Sequence, residues 1–379
     1  MRTVAGALLV AAAAAAWPAP ARAQDSVFGI RGLGFLDTGV SPRSAGLGGG
    51  DAILDGESTV NPAAIASWTE TTGWAAGSAS SRSFEDASLR STRFPLFGLT
   101  AQAGPRLVVA VTASDYLDRN WSVAQTDSGT PVDSTLVVSD LTRSLGGVTD
   151  VRFAAAYRLT GLALGAGLHV LTGSAETTVL RQFTSDSAFL PFSDQSITSY
   201  RGVAASFGAV ASPLPQFVLG ASVRVSGRMR AEAPDTTTNV PMPVEVHAGA
   251  SVQPMAGLGL DATVGWANWS RSSAALVAAG QAGARDAWSV AVGAGLSVLR
   301  LGRRAIPLRF GYEWRQLPFL IPDTSGALAL SEHAVTFGFG FTAAGGRATV
   351  DVAEQWGARV AGPLRETFAT TQVGLTVRP

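Results

Sequence analysis

Three histidines, His169, His247 and His333, are the first residues to weigh, because imidazole is the usual base behind a nucleophilic serine and a common metal ligand. Nucleophilic catalysis needs a serine within hydrogen-bond reach of a histidine that a third group orients. Sequence shows no such grouping: His169 and His247 lie in separate segments, and His333 follows Glu332 at the start of another. Scattered histidines without paired spacing make no zinc site. The lack of cysteine removes thiol nucleophiles, thiolate ligands and disulfides together. The histidines therefore read as wall residues, and no enzyme, metal or cofactor is expected. A glycine-dense run, Gly46-Leu47-Gly48-Gly49-Gly50-Asp51-Ala52, could cradle phosphate, but no lysine or strand–loop–helix frame accompanies it. Glycine there better suits backbone packed tightly inside something narrow. Asp55 and Asn61-Pro62-Ala63 follow. Asn61, preceding proline, is held extended, and its amide can bond nearby backbone.

The rest of the composition limits what could position these residues. The 379-residue chain balances 28 basic against 28 acidic side chains, which leaves no cationic surplus for nucleic acid. Only 15% of residues are charged and 46% are hydrophobic, so disorder is excluded. Residues 1–23 read as a signal peptide: Arg2, an apolar run from Val4 to Ala16, and the small-x-small signal Ala21-Arg22-Ala23 before Gln24. Beyond Gln24 no run of ~18 apolar residues could form a membrane helix. An exported chain this apolar must hide its surface by other means.

Period-two alternation supplies the means. Leu308, Phe310, Tyr312 and Trp314 alternate with Arg309, Gly311, Glu313 and Arg315; Val335, Phe337, Phe339 and Phe341 alternate with small residues. Fourteen such segments lie between residues 70 and 377, with short turns after the even-numbered ones. Those after odd-numbered segments are mostly long and polar, notably 118–147, 181–196, 231–242, 270–284 and 318–330. An even count with this asymmetry predicts an all-β fold, a 14-stranded antiparallel transmembrane β-barrel spanning 70–379. Its apolar face would meet lipid. Its lumen would carry Arg152, Arg158, His169, Arg224, Arg228, Glu245, His247, Asp261, Arg309, Glu313, Arg315 and Asp351, most of them bracing the wall. Trp266, Trp269, Trp288, Trp314 and Trp356 fall near strand ends, as an interfacial girdle would place them.

Residues 24–69 lack this alternation. Gly34-Phe35, Ser44 through Ala52, Asp55 and Asn61-Pro62-Ala63 together resemble the amino-terminal plug of the FadL-like outer-membrane transporters of hydrophobic compounds. Gly311 through Phe319, Ser331-Glu332-His333 and Arg365-Glu366-Thr367 are similar to closing strands in that superfamily. The chain departs from the pattern in ending Val377-Arg378-Pro379 rather than on an aromatic residue. The resemblance implies a plug in the lumen, with Gly46, Gly48, Gly49, Gly50, Asp51, Asp55, Asn61, Pro62 and Ala63 controlling the path. It implies passive uptake of fatty acids or hydrocarbons, with sideways exit through the wall beside a kinked strand. Expected partners are a hydrophobic solute and the lipid and lipopolysaccharide of a Gram-negative-type outer membrane. The monomer is the simplest state. The alternative is a shuttle for secreted proteins with the same barrel, docking them on large outer loops such as 118–147.

Overall fold

Arg152 is wholly buried while its neighbour Phe153 is 52% exposed, which inverts the rule for a protein in water. The same inversion runs around the molecule: Leu99, Leu168, Val203 and Phe207 point outward, and Asp150, His169 and Arg309 point inward. The computed structural model, which describes residues 28–84, 87–129, 136–183, 190–301, 304–324 and 326–379, explains it as a closed barrel of fourteen antiparallel strands. Residues 1–23, read as a signal peptide, lie outside the described residues.

The strands are Thr72–Phe84 (β1), Ala87–Gln102 (β2), Leu107–Asp118 (β3), Leu136–Leu159 (β4), Leu162–Phe183 (β5), Phe192–Leu214 (β6) and Phe217–Ser226 (β7). They continue with Val244–Met255 (β8), Leu258–Ala267 (β9), Ala287–Leu301 (β10), Arg304–Asp323 (β11), Gly326–Ala343 (β12), Ala348–Ala361 (β13) and Leu364–Val377 (β14). Each pairs with its sequence neighbour, and β14 closes on β1 from Glu366↔Phe84 to Val377↔Gly73. Closure removes the free edge that lipid could not satisfy.

Most of the expected outer loops are wall. Trp121–Gly129 prolongs β3 against β4, and β4 itself begins at Leu136, so 118–147 is largely a paired hairpin. Arg228–Ala233 and Thr236–Pro241 likewise carry β7 and β8 outward, and 318–330 is filled by β11 and β12. In these extensions the buried inward face is apolar, with Met229, Val240, Phe319 and Ile321 in inner clusters, and no lipid demands an apolar outer face. The alternation that marks the lower strands is therefore lost while backbone pairing continues, and the sequence reads as loop. Residues 268–286 differ: Trp269–Ser272 and Ser273–Ala278 are short helices that fold into the mouth. Trp269 is 2% exposed and stacks edge-on against Phe319 at 5.2 Å, so it belongs to an inner apolar cluster and not to a girdle. Trp288 and Trp356 do face outward.

Candidate functional site in the lumen

The described residues ahead of β1 thread the bore, and their own side chains shape them. Ser41 caps the short helix Pro42–Ala45 by accepting from the Ser44 amide, with Pro42 preset at its first turn. Asp55 gathers the loop: the Ser41 and Ser58 hydroxyls donate to it at 2.5 and 2.7 Å, and the Glu57 amide at 3.2 Å. Asp51 accepts from the Ser44 hydroxyl and lies 3.8 Å from Arg43. Between them Gly48 and Gly49 take positive φ of 66° and 84°, conformations costly to any side chain. Asn61 fixes the far end. Its carbonyl oxygen accepts from the Ala63 amide at 2.9 Å, and its nitrogen donates to Ile53 at 2.9 Å and to Ala209 of β6 at 3.2 Å.

The wall receives this segment through inward glycines whose contact with it the sequence did not disclose. A Cβ on Gly311 would overlap the Leu47–Gly48 peptide, and one on Gly165 would overlap the Pro62–Ala63 peptide. Gly338 faces Gly46, Gly293 faces Leu47 and Gly208 faces Asn61, each too close for a side chain. The signal was present as glycine at inward positions on strand after strand. Polar tethers complete the seat. Arg152 donates to the Thr59 carbonyl at 2.9 Å, Arg158 to Ala66 at 2.7 Å, Thr263 to Gly50 at 2.7 Å and Thr336 to Gly46 at 3.1 Å.

The remaining inward charges fall into separate groups. Arg309 pairs with Asp351 at 2.7 Å. Arg315 bonds Glu332 at 2.7 Å, and Glu313 accepts from Gln355 at 3.3 Å. Arg224 bonds Asp150 at 2.9 Å and lies over the Tyr116 ring, 4.6 Å from its centre, while the Tyr116 hydroxyl donates to Glu245 at 3.4 Å. His169 sits between Asp150 and Ser206, a grouping that sequence spacing did not disclose. Arg228 is placed differently from the expectation. Strand β7 breaks at Gly227, the alternation changes phase, and Met229 turns inward at 0% exposure while Arg228 is exposed.

Cavities lie above and below the plug. The upper one, about 140 Å³, is lined by Leu36, Tyr116, Trp269 and Leu317 together with Asp150, His169, Ser206, Arg224, Glu245 and His247. Beside it, toward the mouth, lies an apolar cluster of Leu171, Tyr200, Met229, Met242, Leu276 and Phe319. The lower cavity, about 630 Å³, is polar and lies beside the short turns, with Arg43, Asp51, Asp55, Asp261 and Arg309 on its wall.

This architecture has counterparts among solved structures. The chain aligns over 90% of its length with 98% of the CymD monoaromatic hydrocarbon channel, at 16% identity and a TM-score of 0.58. It aligns equally with the Ralstonia pickettii toluene transporter TbuX, at 15% identity and 0.58, over 90% of this chain and 98% of that one. A Pseudomonas aeruginosa FadL homologue aligns at 12% identity and 0.59, covering 91% and 99%. The fold is that of the FadL-like transporters. No family model and no curated relative matches the sequence.

Within this FadL-like frame the plug carries its own acid group. Glu57 is buried beside Asp55, and burial first, then that neighbouring charge, pushes its carboxyl from the ordinary 4.5 up to about 8. It accepts from Thr376 of β14 at 2.7 Å. A raised value means that the seated plug binds more protons than a released one. Seating therefore weakens as pH climbs from about 4.5 and levels off above about 8. Bilayer recordings are expected to show more frequent openings at alkaline than at mildly acidic pH. In Glu57→Gln that dependence should flatten; an unchanged slope would assign it to another group.

Proposed function

We propose that this protein is an outer-membrane channel of a Gram-negative-type bacterium for passive uptake of small hydrophobic compounds, which enter at the mouth, rest above the plug and leave sideways into lipid. The observation that carries this reading is a discontinuity in the wall. The ladder between β2 and β3 runs from Gln102↔Val108 to Leu96↔Ser114 and has no described register above that pair. Pro95 offers no amide there. The upper end of β3 turns to the plug instead, with Leu117 and Asp118 pairing to Leu36 and Phe35. Arg93, Asp115 and Asp118 occupy the gap, with Arg82 donating to Asp118 at 3.1 Å. A small cavity of about 110 Å³ lies behind it, reaching Phe35, Arg93, Pro95 and Asp118.

An apolar solute gains little by continuing downward. The lower cavity is polar, and re-exposing hydrocarbon to water costs roughly 25 cal/mol per Å². The upper cavity of about 140 Å³ suits a single ring better than a long acyl chain. For scale, an engineered cavity of ~150 Å³ in another protein holds benzene. The docking loop that would favour a secretion shuttle, 118–147, is mostly paired strand.

The chain has no cysteine, so the gap can be tested with one introduced thiol. In Asp115→Cys, maleimides of increasing size should lower toluene uptake into vesicles stepwise, by about tenfold for the largest. Uptake that ignores adduct size would place the exit elsewhere.

A further inference from the structure

We propose that Ser206, His169 and Asp150 form a hydrolytic centre in the lumen that cleaves small esters reaching the upper cavity. His169 Nε2 lies 2.8 Å from Ser206 Oγ, and Nδ1 lies 2.8 and 3.0 Å from the two Asp150 oxygens. Asp150 also binds Arg224 at 2.9 Å, so it is held as a carboxylate and only accepts. Nδ1 therefore carries the ring proton, and Nε2 faces the Ser206 hydroxyl as acceptor. This tautomer lets imidazole take a proton from serine.

The wall builds the group from three successive strands. Asp150 stands on β4, His169 on β5 and Ser206 on β6, all on the inward face. Gly167 on β5 is the register partner of Ser206, and a Cβ there would come within 2.7 Å of the hydroxyl. All three residues are buried against protein, yet each borders the cavity of about 140 Å³. A brace between strands would need one polar pair. It would not need a third partner, open space beside the hydroxyl, or a spare donor.

Arg224 is that donor. It is the register partner of Ser206 on β7, and its Nε and Nη2 are buried with no hydrogen-bond partner. Unpaired buried donors are costly, and they are suited to an oxygen that becomes negative. As Ser206 Oγ adds to an ester carbonyl carbon, its proton passes to His169 Nε2 and the carbonyl electron pair moves onto oxygen beside Arg224. Collapse of that intermediate breaks the ester C–O bond, and Nε2 returns its proton to the departing alcohol. Water then attacks the acyl-serine, losing a proton to His169, and carboxylic acid leaves with Ser206 restored. The sum is ester plus water to acid plus alcohol. The cavity limits substrates to short acyl groups or one ring. This activity does not rest on the transport reading.

The test uses the detergent-purified chain, phenylmethylsulfonyl fluoride and p-nitrophenyl acetate. Intact mass and peptide mapping should find one sulfonyl group, on Ser206. Acetate hydrolysis should fall about 10²–10⁴-fold in His169→Gln. Ser206→Cys supplies the control for access, since its thiol is the sole one in the chain. If methyl methanethiosulfonate modifies that thiol while native Ser206 takes no sulfonyl group and hydrolysis equals that of Ser206→Ala, the proposal is overturned. A thiol that stays unmodified overturns it too, because no substrate could then reach the site. Toluene uptake measured on the same preparations separates this result from the channel reading.

Discussion

Deleting residues 44–63 is expected to raise single-channel conductance in planar bilayers by on the order of tenfold, and to let polar solutes leak through a barrel that otherwise resists them. Those residues hold the glycine run, Asp51, Asp55 and Asn61, and they contact strands on opposite sides of the bore. Gly46 bonds β12 through Thr336, Gly50 bonds β9 through Thr263, and Asn61 bonds β6 at Ala209. A fourteen-stranded wall without that filling would enclose water. A gentler variant probes the same seat without cutting the chain. In Gly311→Val the new side chain must displace the Leu47–Gly48 peptide, which has no flexible atom to yield. Its conductance should move toward that of the deletion while barrel assembly persists. If conductance and hydrocarbon uptake both remain at wild-type values in the deletion, the segment does not control the path.

The strand ledger was legible because lipid imposes alternation, and alternation survives in sequence wherever one face meets hydrocarbon. All fourteen strands followed from it. What lay above the lipid was not legible. Trp121–Gly129 and the first part of β4 pair in full register, yet no lipid imposes an apolar outer face there, so the segment does not alternate and reads as loop. Phase was the second loss. Arg224 and Arg228 have the same parity, and counting by twos puts both inside; the break at Gly227 costs one residue and sends Arg228 outward. Register was the third. Parity puts Asp150 on the face of Arg152, but contact between Asp150, His169 and Ser206 depends on how three strands slide, which no single strand encodes. The glycine seat is intermediate: Gly311 was visible as an inward residue between Arg309 and Glu313, and its role emerges with the Leu47–Gly48 peptide lying against it.

Replacing Glu332 with alanine is expected to destabilise the barrel by about 3–5 kcal/mol, measured as urea unfolding in lipid vesicles. Glu332 is 1% exposed and joins three strands: it accepts from Arg315 of β11 at 2.7 Å and from Arg359 of β13 at 2.5 Å. Arg359 in turn donates to Glu366 of β14 at 2.6 Å and lies 4.2 Å from the Phe35 ring centre, so the chain of charges ends on the plug. Removing the acid leaves Arg359 with Glu366 alone and Arg315 with Glu313 no nearer than 4.0 Å, so two buried guanidinium groups lose their shared carboxylate. The cost is that of uncompensated charge, and it exceeds the net worth of the intact pair. Arg181 and Asp140 form an equally short pair at 2.6 Å, but on the outer extension of β4 and β5, where side chains are open to solvent. Asp140→Ala should leave the unfolding midpoint where it was, since exposed pairs contribute little. The contrast between the two alanine variants separates burial from pairing. Equal losses would mean that the lumen around Glu332 is hydrated like the outer surface, and that the charges there do not hold Phe35 against the wall.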